Sequence, residues 1–409
     1  MKPETMRKVD FWIGKPVCTL LTLFHNISLF IHKQQNSHKP AQKILFIKMA
    51  EQGTTVLAYH AIHRAVEMVG RKNVYFLVFK ENAEIINLLN LIPYENVLVV
   101  RSKFFSIFFI DILITLWKVR QLNIDAAIDM EFFSRATSII AFLSGARYRI
   151  GLHRFTSEGL YRGNLLTHRI QYNPYLHISR TFYMMVEAIM NSSDEMPLPK
   201  RKPPQIDFTP PGFKPSKDEL RKVLKILNHA SGKEVESPII LLNPNAGDIL
   251  PLRKWPSESF VELGKEIIFN YPEVTLIITG TKSEQHTAAS IALAIESDRV
   301  INLAGLTSLR ELMVLFSVAD ILITNDSGPG HFSSMTDIQT ISLFGPETPE
   351  LFGPLGKNTH IISAGLACSP CINALNHRTS PCKNNICMQS IYVSHVFEIV
   401  KNLLTHKIS

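Results

Sequence analysis

The chain has 409 residues, of which 46% are hydrophobic and 19% charged. That length suits two or three domains with real cores and excludes disorder or a solvating tail as a description of the whole. Lys and Arg total 43 against 35 Asp and Glu, a surplus of +8, which suits phosphate-bearing ligands, anionic lipid or nucleic acid. Nucleic acid is set aside because the charge is not gathered into a basic stripe with interleaved aromatics. Five cysteines in this length cannot staple the whole protein, so a reducing compartment is the default.

Residues 1–43 read as an amphipathic amino-terminal segment. Between Phe11 and Ile31, 13 hydrophobic residues are interrupted by Lys15, His25 and Asn26, whereas a spanning helix wants ~20 mostly apolar residues. No small-x-small cleavage site follows. Pro16 opens a helix in this reading, with Val17, Leu20, Leu21, Phe24, Ile27 and Ile31 on one face, widened by Leu23 and Phe30. Lys2, Arg7, Lys8, Lys15, His32 and Lys33 flank it. Two readings stand: a helix lying on an anionic membrane face, or one docked on the protein's own core. Cys18 packs there as a small hydrophobe. A second apolar run, Phe104 to Trp117, lies between Arg101, Lys103, Lys118 and Arg120; it is too short to span and reads as a buried helix. Both runs on one face would make a membrane-hugging surface.

From Ile44 the pattern alternates. Strands are expected at 44–47, 73–79, 97–100 and 126–128, with a glycine turn at Gly53 and helices over 56–69 and 85–91. This is the βαβ rhythm of a parallel sheet, giving a first Rossmann-like domain over 44–195. Residues 196–216 hold seven prolines and read as a stiff linker. The alternation restarts in a second Rossmann-like domain, 217–390, with strands at 239–242, 274–279, 300–303, 321–324 and 340–343 and helices at 257–269, 281–295 and 309–316. Ser257 marks one helix start, and Ser308 with Glu311 forms a capping box; residues 391–409 are a terminal helix. Two α/β domains imply a ligand cleft between them, at the carboxyl ends of the strands.

The most informative run is Ile321-Leu322-Ile323-Thr324-Asn325-Asp326-Ser327-Gly328-Pro329-Gly330-His331. An apolar strand ends in an acidic, hydroxyl and glycine turn before a helix beginning near His331. Backbone N–H groups there suit an anion, with Ser327 and His331 as side-chain donors; an ordinary strand-to-helix turn is the other reading. Context favours the first. Asn243-Pro244-Asn245-Ala246-Gly247 and Arg253-Lys254-Trp255-Pro256 stand upstream, Thr279-Gly280-Thr281-Lys282-Ser283-Glu284 lies between, and Ser342-Leu343-Phe344-Gly345-Pro346-Glu347 follows. These are strand ends on one rim of a sheet, where nucleotide sites lie in open α/β folds.

From about Ile44 to Ile391, and most specifically over 239–355, the chain resembles glycosyltransferase family 9, the ADP-heptose:lipopolysaccharide heptosyltransferases. The resemblance implies a GT-B fold and an inverting, metal-independent transfer from a nucleotide-diphosphate sugar, ADP-sugar favoured. A cell-envelope glycan or glycolipid would be the acceptor, at the inner face of the cytoplasmic membrane. It implies that Asn245, Asp326, Ser327, Gly328 and His331 hold the donor and that Glu284 meets its ribose. Arg253, with Lys254 beside it, would offset charge on the leaving diphosphate.

One motif departs from the family. Where members read Gly-Asp after the first strand, with the Asp as base, this chain reads Gly53-Thr54. Thr54 cannot be a base at neutral pH, so Glu51 is the candidate, with His60 and His63 behind it. A binding protein that kept the nucleotide pocket and lost the base is the alternative, and a sugar-nucleotide epimerase a more distant one. Asp129, Glu131, Ser134 and Arg135 follow the fourth strand and read as acceptor-side residues. Arg147 and Arg149 read either as binders of acidic acceptor groups or as solvated surface. Cys368, Cys371, Cys382 and Cys387, with His377 between them, have a spacing compatible with structural zinc, with free thiols, or with local disulfides.

Overall fold

The computed structural model describes residues 3–31, 39–155, 161–247 and 250–408, in two compact units, Met1–Phe208 and Thr209–Ser409. Lys2, His32 and Lys33 lie outside the described residues.

The first unit opens with helices α1 (Pro3–Trp12) and α2 (Gly14–Ile31). Then follow β1 (Ile44–Ile47), α3 (Gln52–Leu57), α4 (Tyr59–Val69), β2 (Val74–Phe79), α5 (Ala83–Leu89), β3 (Val97–Val100) and α6 (Phe105–Leu122). The unit closes with β4 (Ala126–Asp129), α7 (Arg135–Leu143), β5 (Tyr148–His153), β6 (His168–Gln171) and α8 (Ile178–Glu187). The six strands form one parallel sheet in the order β3-β2-β1-β4-β5-β6. The order reverses between β1 and β4, so the loops after these two strands flank the switch point. β1 is covered on both faces and is apolar throughout for that reason. The single helix expected over 56–69 is two, parted at Ala58.

Helices α6 and α7 cover the same face of this sheet. Val119 of α6 and Ile140 and Ala141 of α7 join one core with Leu45, Leu77 and Ala127. Helix α2 docks on the α7 side through its small residues. Gly14, Cys18 and Thr22 are buried, and a Cβ on Gly14 would lie 2.8 Å from Arg135 Cβ. At Gly163, held at φ +60°, a side chain would collide with Thr22. Burial raises the Cys18 thiol to about 11. Two expectations are corrected. The helices begin at Pro3 and Gly14 rather than at Pro16. The run Phe104–Trp117 is not buried: Phe109, Leu113 and Trp117 face out, Trp117 at 61% exposure.

The second unit comprises α9 (Lys217–Ser231), β7 (Ile239–Asn243), α10 (Ser257–Asn270), β8 (Thr275–Ile278), α11 (Gln285–Ile295), β9 (Val300–Asn302) and α12 (Leu309–Val318). It continues with β10 (Ile321–Asn325), α13 (Gly328–Ser333), β11 (Gln339–Phe344), α14 (Pro349–Phe352), β12 (Thr359–Ser363), α15 (Ile386–Gln389) and α16 (Val393–Ile408). Its parallel sheet runs β12-β11-β10-β7-β8-β9, reversing between β7 and β10. Capping boxes start α9 (Ser216 with Glu219) and α12 (Ser308 with Glu311). Helix α10 starts at Ser257, as the sequence indicates, with Pro256 at the cap position.

The proline-rich stretch 196–216 touches the first unit at two points. Leu198 bridges to Ile170, beside β6. Phe208 is buried against His60 and Tyr183, with the Arg180 guanidinium 5.0 Å from its ring. The boundary of the units falls just after it.

Candidate functional site

In the second unit, the ends of β7, β10 and β11 lie side by side on one rim. Asn325, the last residue of β10, ties the neighbouring loops together. Its Nδ2 donates to the Pro244 carbonyl at 2.9 Å and its Oδ1 accepts the Trp255 N–H at 2.9 Å. Trp255 is fully buried and donates Nε1–H to the Ile391 carbonyl. Asn385 donates to the carbonyls of Leu252 and Lys254 at 3.0 and 2.9 Å. These bonds fix the backbone on which Arg253 and Lys254 stand.

Arg253 reaches inward. Its Nη2 donates to the Ala246 carbonyl at 3.2 Å, and its Nη1 lies 3.4 Å from Asp326 Oδ2 and 3.6 Å from Glu347 Oε2. Glu347 is itself forked by Arg378, Nε to Oε1 at 2.9 Å and Nη2 to Oε2 at 2.7 Å. Asp326, Arg253, Glu347 and Arg378 thus form a row of alternating charge with no net surplus. Burial pushes the Glu347 carboxyl up and the two guanidiniums pull it back; the forked geometry is that of a carboxylate. Among the described residues, Asn245 Nδ2, Arg253 Nε and Ser342 Oγ are buried at this rim with no hydrogen-bond partner. Polar groups so placed cost stability unless something polar meets them.

The sequence-predicted donor residues are partly gathered here. Asn245, Asp326 and Ser327 are buried on the β7 and β10 loops, and Ser327 Oγ sits 3.0 Å from Thr324 Oγ1. The helix after them begins at Gly328, not near His331, and is six residues long. The charge available to an anion therefore comes chiefly from Arg253 rather than from a helix dipole. His331 is buried in the second half of that helix. Glu284 closes a capping box: its Oε2 accepts the Thr281 N–H at 2.8 Å and the Thr281 hydroxyl at 2.9 Å.

In the first unit the loop after β1 is held from below. Lys48 is fully buried; its Nζ donates to the Ala50 carbonyl at 2.7 Å and lies 3.3 Å from Glu131 Oε1 and 3.9 Å from Glu51 Oε2. Glu131 Oε1 also accepts the N–H groups of Met49 and Ala50 at 2.8 and 3.0 Å. Glu51 caps α3 with φ 67°, a left-handed conformation uncommon for a residue with a Cβ. Gly53 and Thr54 are buried in the first turn of α3, where the Thr54 hydroxyl donates to the Glu51 carbonyl at 2.9 Å. Thr54 therefore shapes the turn.

The acceptor-side candidates all have partners within the first unit. Asp129 is fully buried and binds inward, accepting the Glu131 N–H at 3.1 Å and the Ser138 hydroxyl at 3.0 Å. Burial raises its carboxyl to about 7, with the Arg162 charge opposing. Arg135, also buried, donates to the Tyr161 carbonyl at 2.9 Å and lies 3.4 Å from the Asp10 carboxylate, so it latches the amino-terminal helices. Arg149 is buried too, donates to the Leu165 and Ala146 carbonyls, and is lowered to about 10 by burial. Arg147 pairs with Asp125 at 3.0 Å. His60 packs edge-on against Phe208, and His63 faces Glu67 at 3.2 Å.

Zinc and disulfides are also corrected. Cys368, Cys371, Cys382 and Cys387 are free thiols, and no three His, Cys, Asp or Glu side chains converge on a metal position among the described residues. Cys371 Sγ lies 3.4 Å from Ser380 Oγ, Cys382 Sγ donates to the Asn384 carbonyl, and Cys387 is buried against the β11 turn at Gly345. Sequence reasoning assigned no role to Asn325, Glu347 or Arg378. The one available signal was Gly345-Pro346-Glu347, a carboxylate placed directly after an apolar strand.

Residues 115–380 match the profile of glycosyltransferase family 9 (heptosyltransferase). Lipooligosaccharide heptosyltransferase 2 of Campylobacter jejuni is 31% identical over 169 residues, 41% of this chain and 51% of that protein. Lipopolysaccharide heptosyltransferase 2 of Salmonella typhimurium is 30% identical over 130 residues, 31% of this chain and 36% of that protein. The chain thus spans about half or less of the length of these curated relatives. Among solved structures, E. coli ADP-heptose LPS heptosyltransferase II aligns over 90% of this chain and 100% of its own, with a TM-score of 0.64 and 17% identity. E. coli heptosyltransferase WaaC with ADP aligns over 88% and 99%, with a TM-score of 0.60 and 15% identity. At such identities these likenesses establish the two-domain GT-B-like architecture alone.

Proposed function

The chain belongs to glycosyltransferase family 9, and from that membership we propose that it moves a sugar, a heptose first among candidates, from a nucleotide-diphosphate sugar to a lipopolysaccharide-type or other cell-envelope glycan. The transfer inverts the anomeric centre and uses no metal. An ADP-sugar is the favoured donor, and the site of action is the cytoplasmic side of the inner membrane. The relatives' names support the reaction class and the acceptor class.

The second unit holds the donor through Asn245, Asp326, Ser327, Gly328 and His331, with Glu284 toward the ribose. In the first unit Glu51 accepts the proton of the acceptor hydroxyl as its oxygen bonds to the anomeric carbon. The bond from that carbon to the diphosphate oxygen breaks as the new one forms on the opposite face. The nucleotide diphosphate leaves with the electron pair, its charge met by Arg253 and Lys254.

The observation that carries the reading is Arg253, held on a braced loop between two carboxylates with its Nε unspent. A diphosphate would compete for it. The test is a thermal-shift series with ADP, UDP and GDP, followed by transfer assays with the matching sugars. A ligand bound to the folded state raises the melting temperature by mass action. The expected result is a shift with ADP that is lost in Arg253→Met. Stabilisation by UDP or GDP alone would overturn the donor assignment. ADP binding without transfer to any glycan would leave a binding protein.

A further inference from the structure

Helix α2 is amphipathic the wrong way round for a helix that serves only its own fold. Its buried stripe is Gly14, Cys18 and Thr22, while Leu20, Leu23, Phe24, Ile27 and Phe30 are exposed, Phe24 at 67% and Phe30 at 91%. A helix docked for stability alone buries its large apolar side chains. Helix α6 repeats the anomaly with Phe105, Phe109, Ile110, Leu113, Ile114 and Trp117, all about half exposed or more. Because α6 and α7 share one sheet face and α1 and α2 pack against α7, one side of the first unit carries both apolar stripes. Most of this surface lies before residue 115, outside the segment that matches the family.

The charges of its two segments are mostly positive. Over residues 5–30 and 101–122 there are seven Lys and Arg and two carboxylates, Asp10 and Asp111. Each carboxylate is engaged by an arginine, Asp10 by Arg135 and Asp111 by Arg101. Lys8, Lys15, Lys103 and Lys118 are exposed beside the stripes, and Lys103 Nζ lies 5.7 Å from the Phe104 ring. An apolar, aromatic-rich surface whose own two segments carry a surplus of cations, with both of their carboxylates held by arginines, matches an anionic bilayer interface. There the aromatic side chains enter the headgroup boundary and the ammonium groups stay among the phosphates.

We propose that α2 and α6 together form a peripheral docking surface for anionic lipid, with the Asp10–Arg135 latch holding α1 and α2 in the plane of the membrane. By length and composition alone Thr5–Phe30 could cross a bilayer, but its docked stripe and latch favour lying on the surface. This inference does not depend on the proposed sugar transfer, and its test uses no sugar.

The full chain is floated with vesicles of phosphatidylcholine alone and of phosphatidylcholine with about a third phosphatidylglycerol. Binding is expected to the anionic vesicles, weakened by salt and released by alkaline carbonate. The triple variants Phe24→Ser/Ile27→Ser/Phe30→Ser and Phe109→Ser/Leu113→Ser/Trp117→Ser should each lower vesicle affinity roughly ten-fold or more. Their melting curves should match the unaltered protein, since the residues are exposed. Equal binding to neutral vesicles, carbonate-resistant binding, or triple variants that bind normally would overturn the proposal. So would a concentration-dependent dimer in buffer that the variants abolish, which would make a second copy the occupant.

Discussion

Replacing Glu347 by Gln removes one negative charge from the row Asp326–Arg253–Glu347–Arg378 while keeping the side chain's shape. Two effects of opposite sign follow. Arg378 loses the charge behind its 2.9 and 2.7 Å bonds, and a buried guanidinium left with a neutral partner costs about 3 kcal/mol of stability. Arg253 loses one of the two carboxylates that balance it, at 3.6 Å, and the row gains a net positive charge. For a diphosphate about 7 Å away, one unit of charge is worth about 2 kcal/mol at an effective dielectric of ~20, a ceiling near 30-fold in affinity. Screening by solvent brings the expectation to several-fold tighter binding. Urea unfolding measures the first effect, and calorimetric titration with ADP measures the second. A variant that is folded, less stable and binds ADP more tightly fits the reasoning. Weaker or unchanged ADP binding by the folded variant would make the row a structural brace and remove Arg253 as a residue balanced to receive an anion.

Glu51→Gln should lower turnover by about 100-fold or more with ADP affinity unchanged, because the amide keeps the turn but cannot take a proton; single-turnover assays near normal rate would remove Glu51 from the chemistry. For Asp129, the folded-state value of about 7 lies above the ordinary 3.8, so the folded protein keeps a proton that the unfolded chain gives up. Its contribution to stability is therefore full below pH ~4, falls as pH rises to ~7 and is then flat, a loss of at most about 4 kcal/mol. Asp129→Asn, whose amide can serve both Glu131 N–H and Ser138, should lack that slope. A stability difference between the two proteins that stays constant from pH ~4 to ~7, followed by urea midpoints, would show that Asp129 titrates normally.

What could be read in the sequence follows from what each element buries. Ile44–Ile47 and Ile321–Thr324 are central strands covered on both faces, so apolarity announces them. Tyr148–His153 and His168–Gln171 went unread because Arg149 and His168, though buried, interrupt the apolar run and meet carbonyls 16 and 23 positions away. The turn after β10 was legible because glycine and proline mark it locally. Asn325, Glu347 and Arg378 were not, because each acts through a partner 31 or more positions away. The same distance misled the reading of Arg135. A basic residue just after a strand looks available to a ligand until Asp10, 125 positions earlier, is seen to occupy it. Helical periodicity grouped Leu20, Phe24 and Ile27 on one face but could not say which medium that face meets. Only the docked Gly14, Cys18 and Thr22 stripe turns it outward. Thr54 shows the limit of a motif read alone. Its hydroxyl is committed to the Glu51 carbonyl, in the same turn where Glu51 takes its left-handed pose close to the buried Lys48 ammonium.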